Sequence, residues 1–241
     1  MELSPILISL RTAAFSIVIT FFAGIAMARW VAYRKSKRAK MIWDAILTLP
    51  LVLPPTVAGF FLLYLFGVKR PVGQFLVEFL GIKVPFSWGA TVLAAAVISF
   101  PLMYRSARGA FEQVDEDLMF AGRTLGMSER KIFMRIILPN ALPGVLSGGV
   151  LAFARGLGEF GATTMIAGNI AGQTRTLPLA VYSAVAAGDM KLAYQYVLIL
   201  VLLSFFVVAA MNYFGTSRFL KNRFMKGGNT GHAGSTDYKE T

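Results

Sequence analysis

The sequence predicts an all-α membrane protein with about five transmembrane helices, its N-terminus outside and its C-terminus inside the cell. Three observations predict this class. Of the 241 residues, 56% are hydrophobic and only 15% are charged, and the mean hydropathy is +0.63. The apolar residues are concentrated in long runs, and the basic residues cluster in short segments beside those runs. Such a chain buries its apolar surface in lipid.

Five apolar runs are long enough to cross the hydrocarbon core, which takes about 20 residues in a helix. The fourth run contains two charged residues, Arg155 and Glu159. Pro50, Pro54 and Pro55 fall inside the second run, where a proline kinks a helix. We expect there either a packing kink or a bend that lines a pathway. The predicted spans are residues 5–28, 42–66, 88–104, 142–166 and 196–213.

The basic clusters predict the orientation, because cytoplasmic loops carry an excess of Lys and Arg. One cluster, residues 29–40, follows the first run, and the other, residues 218–226, follows the fifth. Placing both inside puts the N-terminus and residues 67–87 outside, and residues 104–140 inside. The apolar segment 177–187 is too short to span, so we expect a helix lying on or partly in the outer membrane surface.

The chain divides into a membrane domain over residues 1–217 and a cytoplasmic tail over residues 218–241, which is basic and then disordered. After Lys226 too few apolar residues remain to fold. The net charge of +12 belongs to loops beside apolar runs, so nucleic acid is not an expected partner. The chain has no cysteine and one isolated histidine, His232. We therefore expect no metal site and no catalytic residue.

The predicted cytoplasmic loop carries a short amphipathic helix. Leu118, Ala121 and Leu125 recur at helical spacing and share one face. Acidic residues 115–117 crowd the first turn, where carboxylates suit the helix dipole, and Gly126 ends the pattern. A helix that binds a membrane surface carries Lys and Arg on its polar face, whereas this one opens with carboxylates. Its apolar face suits a groove on a soluble partner better.

The same loop resembles the EAA loop of ABC importer permeases, in which a glycine precedes an I-x-L-P motif by nine residues. Here Gly126 is followed at that spacing by residues 136–139. The family's alanine pair falls on Ala121 and Gly122, and its glutamate position on Phe120. The resemblance implies a cytoplasmic coupling helix, which sits in a cleft on an ATPase and transmits its closure. The residues to which it carries this role are Asp117, Ala121, Gly122, Leu125 and Gly126.

Three further stretches, residues 49–59, 86–103 and 151–178, resemble molybdate permeases more closely than other ABC importer permeases. The resemblance implies a multi-pass, homodimeric subunit of the cell inner (cytoplasmic) membrane that imports molybdate or tungstate. It implies two partners, a cytoplasmic ABC ATPase and an extracytoplasmic oxyanion-binding protein. No cofactor is expected in the chain itself, because ATP and magnesium bind to the ATPase and a G-x-x-x-x-G-K-[ST] loop is absent from the sequence.

Two alternatives to this function stay open. Sulfate and thiosulfate permeases share the EAA loop, so either anion is an alternative cargo. A stand-alone secondary transporter is the alternative from another class, although the internal symmetry expected of one is not evident in the sequence.

Charged and hydroxyl side chains in the fourth and second runs are candidates for an oxyanion path. Arg155 and Glu159 are four residues apart and can pair on a helix. We expect Glu159 to form a structural ion pair that holds Arg155, and Arg155 to face the path. Thr56, Thr163 and Thr164 carry hydroxyls that hydrogen-bond an oxyanion, with back-bonding to their own helices as the alternative.

Two glycine patterns are explained by packing. Gly144 and Gly148 form a G-x-x-x-G, which lets helices approach closely, and we expect this contact within the chain before one across a dimer. The G-x-G-x-x-G at residues 156–161 lies inside a predicted span, so it does not fit a dinucleotide site, which follows a strand.

Overall fold

In a computed structural model, the described part of the chain consists of helices and the segments that connect them. The structure describes the backbone of residues 2–34 and 36–227 and the side chains of these residues up to 209. The predicted tail, with its basic segment, lies outside the described side chains. The elements are α1 (Ser4–Ala32), α2 (Lys37–Val52), α3 (Pro55–Phe66), α4 (Pro71–Leu80), α5 (Trp88–Glu112), α6 (Glu116–Thr124), α7 (Glu129–Ile132), a π-helix (Phe133–Ile137), α8 (Leu138–Leu157), α9 (Gly161–Ala167), α10 (Leu177–Ala186) and α11 (Met190–Gly227).

Among the described residues, four helical stretches are long and apolar enough to cross a membrane, and α2 with α3 makes a fifth if the pair is one span. The predicted class and the count of about five spans are thereby confirmed. The orientation of the termini stays a prediction from the charge distribution. The four stretches are α1, α5, the continuous helix Glu129–Leu157 and Met190–Ala209 of α11.

The second predicted span is not a single kinked helix, because α2 and α3 meet at an angle of 110°. Leu53 and Pro54 both have extended backbone, with ψ angles of 140° and 133°. Each precedes a proline, whose ring disfavours the helical conformation of the residue before it. Two prolines in succession therefore break the helix, whereas Pro50 alone is accommodated inside α2.

The fourth predicted span is likewise two helices, which corrects the prediction of a continuous one. α8 ends at Leu157 and α9 begins at Gly161. Gly158 weakens the helix at this point, and the side chain of Glu159 accepts a hydrogen bond from the backbone N–H of Ala162 at 2.8 Å. The G-x-G-x-x-G segment therefore coincides with a helix break.

The main core forms around α5, which packs on α1, α8, α2 and α9. One part of this core joins α5 to α1, α8 and the π-helix through residues such as Tyr104 and Phe111. A second part joins α3, α5 and α9 through Ala58, Ile98 and Ile166. The two halves of the broken second span thus belong to different cores, since α2 packs on the first and α3 on the second.

The predicted G-x-x-x-G packs α8 against α5. A Cβ atom on Gly144 would lie 2.7 Å from the Cβ of Ala110, and one on Gly148 would lie 2.4 Å from the Cβ of Ser106. Only glycine permits so close an approach of the two helices. The prediction of a packing contact within the chain is confirmed.

Two short helices lie beside the spans. α10 forms within the segment predicted as a surface helix, and it packs on α11 and α1 with Leu177 and Leu179 fully buried. The backbone N–H of Leu177 also donates to the Ser9 hydroxyl at 2.7 Å. α4 lies in the predicted loop 67–87 and was not predicted.

A charged cluster joins α2 to α5. Arg108 Nη1 lies 2.5 Å from Asp44 Oδ1, and Arg108 Nε lies 2.9 Å from Glu112 Oε1. The Tyr104 hydroxyl donates to Asp44 at 3.1 Å. α2 is therefore attached to the end of α5 that leads into α6.

Candidate functional site

The predicted coupling loop folds as α6 and α7 followed by the π-helix. The Asp115 carboxylate caps α6 by accepting the N–H of Asp117 at 2.9 Å, and the Ser128 hydroxyl caps α7 by accepting the N–H of Lys131 at 3.4 Å. Gly126, between the two helices, has a φ of +71°, which glycine adopts without steric strain. The predicted helix and the glycine that ends it are confirmed.

One face of α6 is apolar and open. Leu118, Ala121 and Leu125, termed here the coupling surface, are all exposed, Leu125 to 80%. Contiguous exposed apolar residues mark interaction sites. Gly122 lies elsewhere: it is buried, and a Cβ atom on it would lie 3.0 Å from Ile136 Cδ1. Gly122 therefore packs α6 onto the π-helix, and the coupling role that the resemblance carries to it stays a prediction.

One ion pair connects the two helices of the loop. Arg123 donates to the Glu129 carboxylate through Nε at 2.8 Å and through Nη2 at 3.3 Å. These hydrogen bonds lower the pKa of Glu129 below its usual value and raise the pKa of Arg123. This pair connects the last turn of α6 to the first residue of α7. It is a second contact that holds the loop together, beside the packing of Gly122 on the π-helix.

The coupling loop continues into the spans without an intervening turn. α7, the π-helix and α8 follow one another directly, and π-helical segments are frequent at functional sites. The Arg29 guanidinium of α1 lies 4.1 Å from the ring centre of Phe133 in the π-helix, a cation–π contact. Phe133 also meets Phe111 of α5 edge to face at 5.4 Å. Three spans are therefore in direct contact with the end of the loop.

The second candidate site is the junction of the two broken spans, where α3 packs on α9. A Cβ atom on Gly59 would lie 2.6 Å from the Cα of Ala162, and one on Gly161 would lie 3.0 Å from the Cβ of Pro55. A side chain at position 59 would clash with the backbone of α9, and one at position 161 would be a tight fit against α3. Thr56 consequently lies beside the break between α8 and α9.

Glu159 is buried in this break, with 2% of its surface exposed. Its Oε1 accepts the Ala162 N–H, and its Oε2 lies 2.7 Å from Arg155 Nη1. The expected ion pair is present, but Glu159 stands outside α8, where it also caps α9. The Arg155 side chain is 32% exposed, so it is less buried than its partner.

The predicted threonines occupy different surroundings. Thr56 is exposed on the first turn of α3, whereas Thr163 is buried in α9 and does not face an open path in this conformation. The Thr164 hydroxyl donates to the Phe160 carbonyl at 2.7 Å, which is the back-bonding alternative. Of the predicted path residues, Thr56 is exposed and Arg155 and Thr164 are partly exposed, and their role stays a prediction.

Sequence reasoning missed Gly59 of the junction and Asp44 of the charged cluster that joins α2 to α5. Gly59 has no local signature, because its partner Ala162 is remote in the sequence. Asp44 did have one, since it is the only charged residue of the second predicted run, and a charge inside an apolar run calls for a partner. In the part of the chain that the structure describes, no group of three His, Cys, Asp or Glu side chains is placed to hold a metal ion.

Comparison with known proteins shows which family this sequence matches. A profile of the family described as "Binding-protein-dependent transport system inner membrane component" matches residues 14–218. The molybdenum transport system permease protein ModB of Escherichia coli (strain K12) is 46% identical over 184 residues, which are 76% of this chain and 80% of that protein. The protein of the same name from Azotobacter vinelandii is 36% identical over 211 residues, or 87% and 92% of the two chains.

Solved structures with a similar fold are also transporters. The MetNI methionine ABC transporter, in an inward-facing conformation, matches with a TM-score of 0.63 at 17% identity, over 89% of this chain and 92% of that chain. An amino acid ABC transporter matches with a TM-score of 0.62 at 19% identity, over 88% and 91% of the two chains. At these identities the likeness concerns the fold.

Proposed function

Because this chain belongs to the family of binding-protein-dependent transport system inner membrane components, we propose that it is the permease subunit of an ATP-driven importer of molybdate. The assignment of molybdate as the transported anion is supported by sequence identity to relatives named for molybdenum transport. This identity extends over most of the length of those relatives. The chain is the inner-membrane, multi-pass part of the system and not its enzyme. ATP and magnesium bind to a cytoplasmic ATPase, and a separate binding protein delivers the anion.

The coupling surface supports the ATPase partner. Leu118, Ala121 and Leu125 form an open apolar face on a short helix, the form in which a helix docks into a groove of another protein. The loop is stiffened by the pair of Arg123 with Glu129. A displacement of the loop by the ATPase therefore moves α8, which is continuous with it, and α1, which touches it.

We further propose that two copies of the chain assemble around one path. Each copy has one coupling surface and one junction of broken helices in its described part, whereas alternating access requires two halves that move against each other. Residues 1–217 act as the permease domain and residues 218–241 as the cytoplasmic tail. The mass of the detergent-purified complex tests this, since a complex with a single permease chain contradicts it.

Arg155 is the proposed contact for the anion on this path. Its guanidinium offers several N–H donors in a plane, the geometry that binds oxyanions. Glu159 neutralises part of this charge at 2.7 Å, which keeps the anion from being held too tightly to leave. Thr56, exposed at the same junction, adds a hydroxyl donor.

The test of this function is reconstitution. The chain is co-purified with its candidate ATPase and binding protein, and ATP-driven uptake of labelled molybdate is measured in proteoliposomes. Uptake that needs all three proteins, and that excess tungstate but not sulfate suppresses, supports the proposal. Suppression by sulfate but not tungstate assigns sulfate or thiosulfate as the cargo. Transport without the ATPase assigns a secondary transporter.

A further inference from the structure

α4 presents two different stripes to its surroundings. Phe75 and Phe79 are exposed to 55% and 73%, and their ring centres are 4.7 Å apart. One position earlier in each turn, Gln74 donates to the Glu78 carboxylate at 2.8 Å. Since residues four apart lie above each other on a helix, an apolar stripe and a polar stripe run side by side along α4.

The third side of α4 is fixed to the end of α3. Gly73 is buried, and a Cβ atom on it would lie 2.1 Å from the carbonyl oxygen of Gly67, the residue that follows α3. Val77, one turn later on the same side, is half-buried. This contact fixes the rotation of α4, so the phenylalanine stripe cannot turn toward α3. It also fixes α4 at the depth in the membrane at which α3 ends.

The stripe continues an apolar surface that α3 presents outward. Its exposed side chains include Phe60, Phe61 and Tyr64, and apolar side chains of this kind suit contact with lipid in a membrane span. Tyr64, near the end of α3, has the amphipathic ring that is enriched at membrane interfaces. The Arg70 guanidinium lies 3.9 Å from the centre of that ring, so a cation begins α4 at the same level.

The loop around α4 is basic. Lys69 and Arg70 precede the helix, Lys83 follows it, and all three are exposed, against the single carboxylate Glu78. The loop is predicted to lie outside, where the positive-inside rule does not favour basic residues. Lys and Arg near a membrane surface attract anionic lipids, so headgroup phosphates are a partner that fits this charge.

We propose that α4 is an interfacial helix, with Phe75 and Phe79 among the acyl chains and Lys69, Arg70 and Lys83 on the headgroups of anionic phospholipids. A helix of this kind buries its apolar side about 5–10 Å into the boundary of headgroups and acyl chains. Its contact with the lipid holds the end of α3 at a constant depth. The inference rests on the chain spanning the membrane as proposed above, and it adds a lipid-binding surface to that function.

Spin labels on single cysteines test this placement, because the natural chain has no cysteine. Phe79→Cys and the matched control Glu78→Cys are labelled in the full transporter complex, in vesicles of phosphatidylethanolamine and phosphatidylglycerol. Oxygen concentrates among acyl chains, whereas a nickel chelate stays in water. We expect oxygen to relax the label at position 79 more strongly than the chelate does, and the order to reverse at position 78. Phe61→Cys on α3 is the reference for contact with lipid.

The outcomes separate the lipid surface from the membrane arrangement on which it rests. One outcome is that the label at position 61 lies among the acyl chains while the chelate reaches positions 79 and 78 equally. In that case the placement of α4 at the interface is wrong and the proposed function stands. If position 61 is also in water, the membrane arrangement fails and the inference fails with it.

Two further outcomes test the kind of partner. A label at position 79 that is in water until the binding protein is added overturns the proposal and assigns the stripe to protein docking. Replacing Lys69, Arg70 and Lys83 together by Gln is expected to shift the label at position 79 toward water. If the accessibility of the label is unchanged in that variant, the basic residues do not hold α4 through the headgroups.

Discussion

Arg108 of α5 and Asp44 of α2 form an ion pair 2.5 Å long that attaches the first half of the broken second span to the helix leading into the coupling loop. Without this pair, α2 has mainly apolar contacts with α5, such as those of Trp43 and Leu47 with the core around Tyr104. The charged pair thus adds a directional contact between α2 and α5 to this apolar packing.

Replacing Arg108 by Ala is expected to destabilise the fold by about 1–3 kcal/mol, because the carboxylates of Asp44 and Glu112 lose a charged hydrogen-bond donor. The measurement is the thermal unfolding midpoint of the detergent-purified complex. Arg105→Ala is the matched control, since Arg105 lies on the same helix with an exposed side chain. Equal losses in the two variants would contradict a specific role for the ion pair.

Gly59→Ala is expected to destabilise the junction by about 1–3 kcal/mol, the usual effect of overpacking. The new methyl group would lie 2.6 Å from the Cα of Ala162, and a backbone atom cannot give way as a side chain does. Gly109→Ala in α5 is the control, because a Cβ atom there meets nothing within 4 Å. The same unfolding measurement should show the control unchanged or more stable by about 0.5–1 kcal/mol.

Leu125→Asp is expected to weaken binding of the ATPase about tenfold or more, since burying a leucine contributes about 1.5–3 kcal/mol. The stability of the permease itself should not change, because Leu125 is exposed in it. Retention of the ATPase during purification measures the first effect, and thermal unfolding measures the second. Gln113→Asp, an exposed position outside the coupling surface, is expected to leave both unchanged. Full retention of the ATPase by the Leu125 variant would rule out this docking face.

Arg155→Ala is expected to abolish molybdate uptake while assembly with the ATPase and ATP hydrolysis persist. The physical reason is the loss of the partly exposed Arg155 side chain, whose guanidinium is a planar donor that alanine cannot replace. Uptake of labelled molybdate and ATPase activity are measured on the same vesicles. Normal uptake would exclude Arg155 from the path.

Glu159→Ala is expected to destabilise the fold by about 0.5–2 kcal/mol, the range for the loss of a helix cap. Glu159→Gln should cost less, because its side-chain oxygen can still accept the Ala162 N–H that Glu159 accepts at 2.8 Å. The difference in unfolding midpoint between the two variants measures the cap apart from the charge. Equal effects would show that the cap contributes nothing measurable.

The parts of the fold that depend on neighbouring residues could be predicted from the sequence. The coupling loop is one case, since its caps at Asp115 and Ser128 and its turn at Gly126 are built within a few residues. Its docking face was predicted for the same reason. The packing of Gly122 on Ile136 could not be predicted, because Ile136 lies beyond the next helix and helical spacing within α6 does not show that contact.

The two helix breaks could be predicted only in part. Hydropathy is averaged over a window, so the apolar run across Leu157 and Gly161 hides a break of three residues between them. The cap from Glu159 to Ala162 is local and was available in the sequence. The prolines of the second run were recognised as a source of a bend. The size of the bend, 110°, depends on the packing of α2 and α3 in different cores, which neighbouring residues in the sequence do not predict.

The link between α2 and α3 has few rotatable bonds. Proline rings fix φ, and Pro54 has a φ of −53°, so the soft torsions of the link are those of Leu53 and the ψ of Pro54. Each half of the span is bound to its own core, and a relative movement of the two cores must be carried by these torsions. Such a movement is confined to these few torsions. Few conformations of the link are then available, and successive transport cycles therefore follow similar routes.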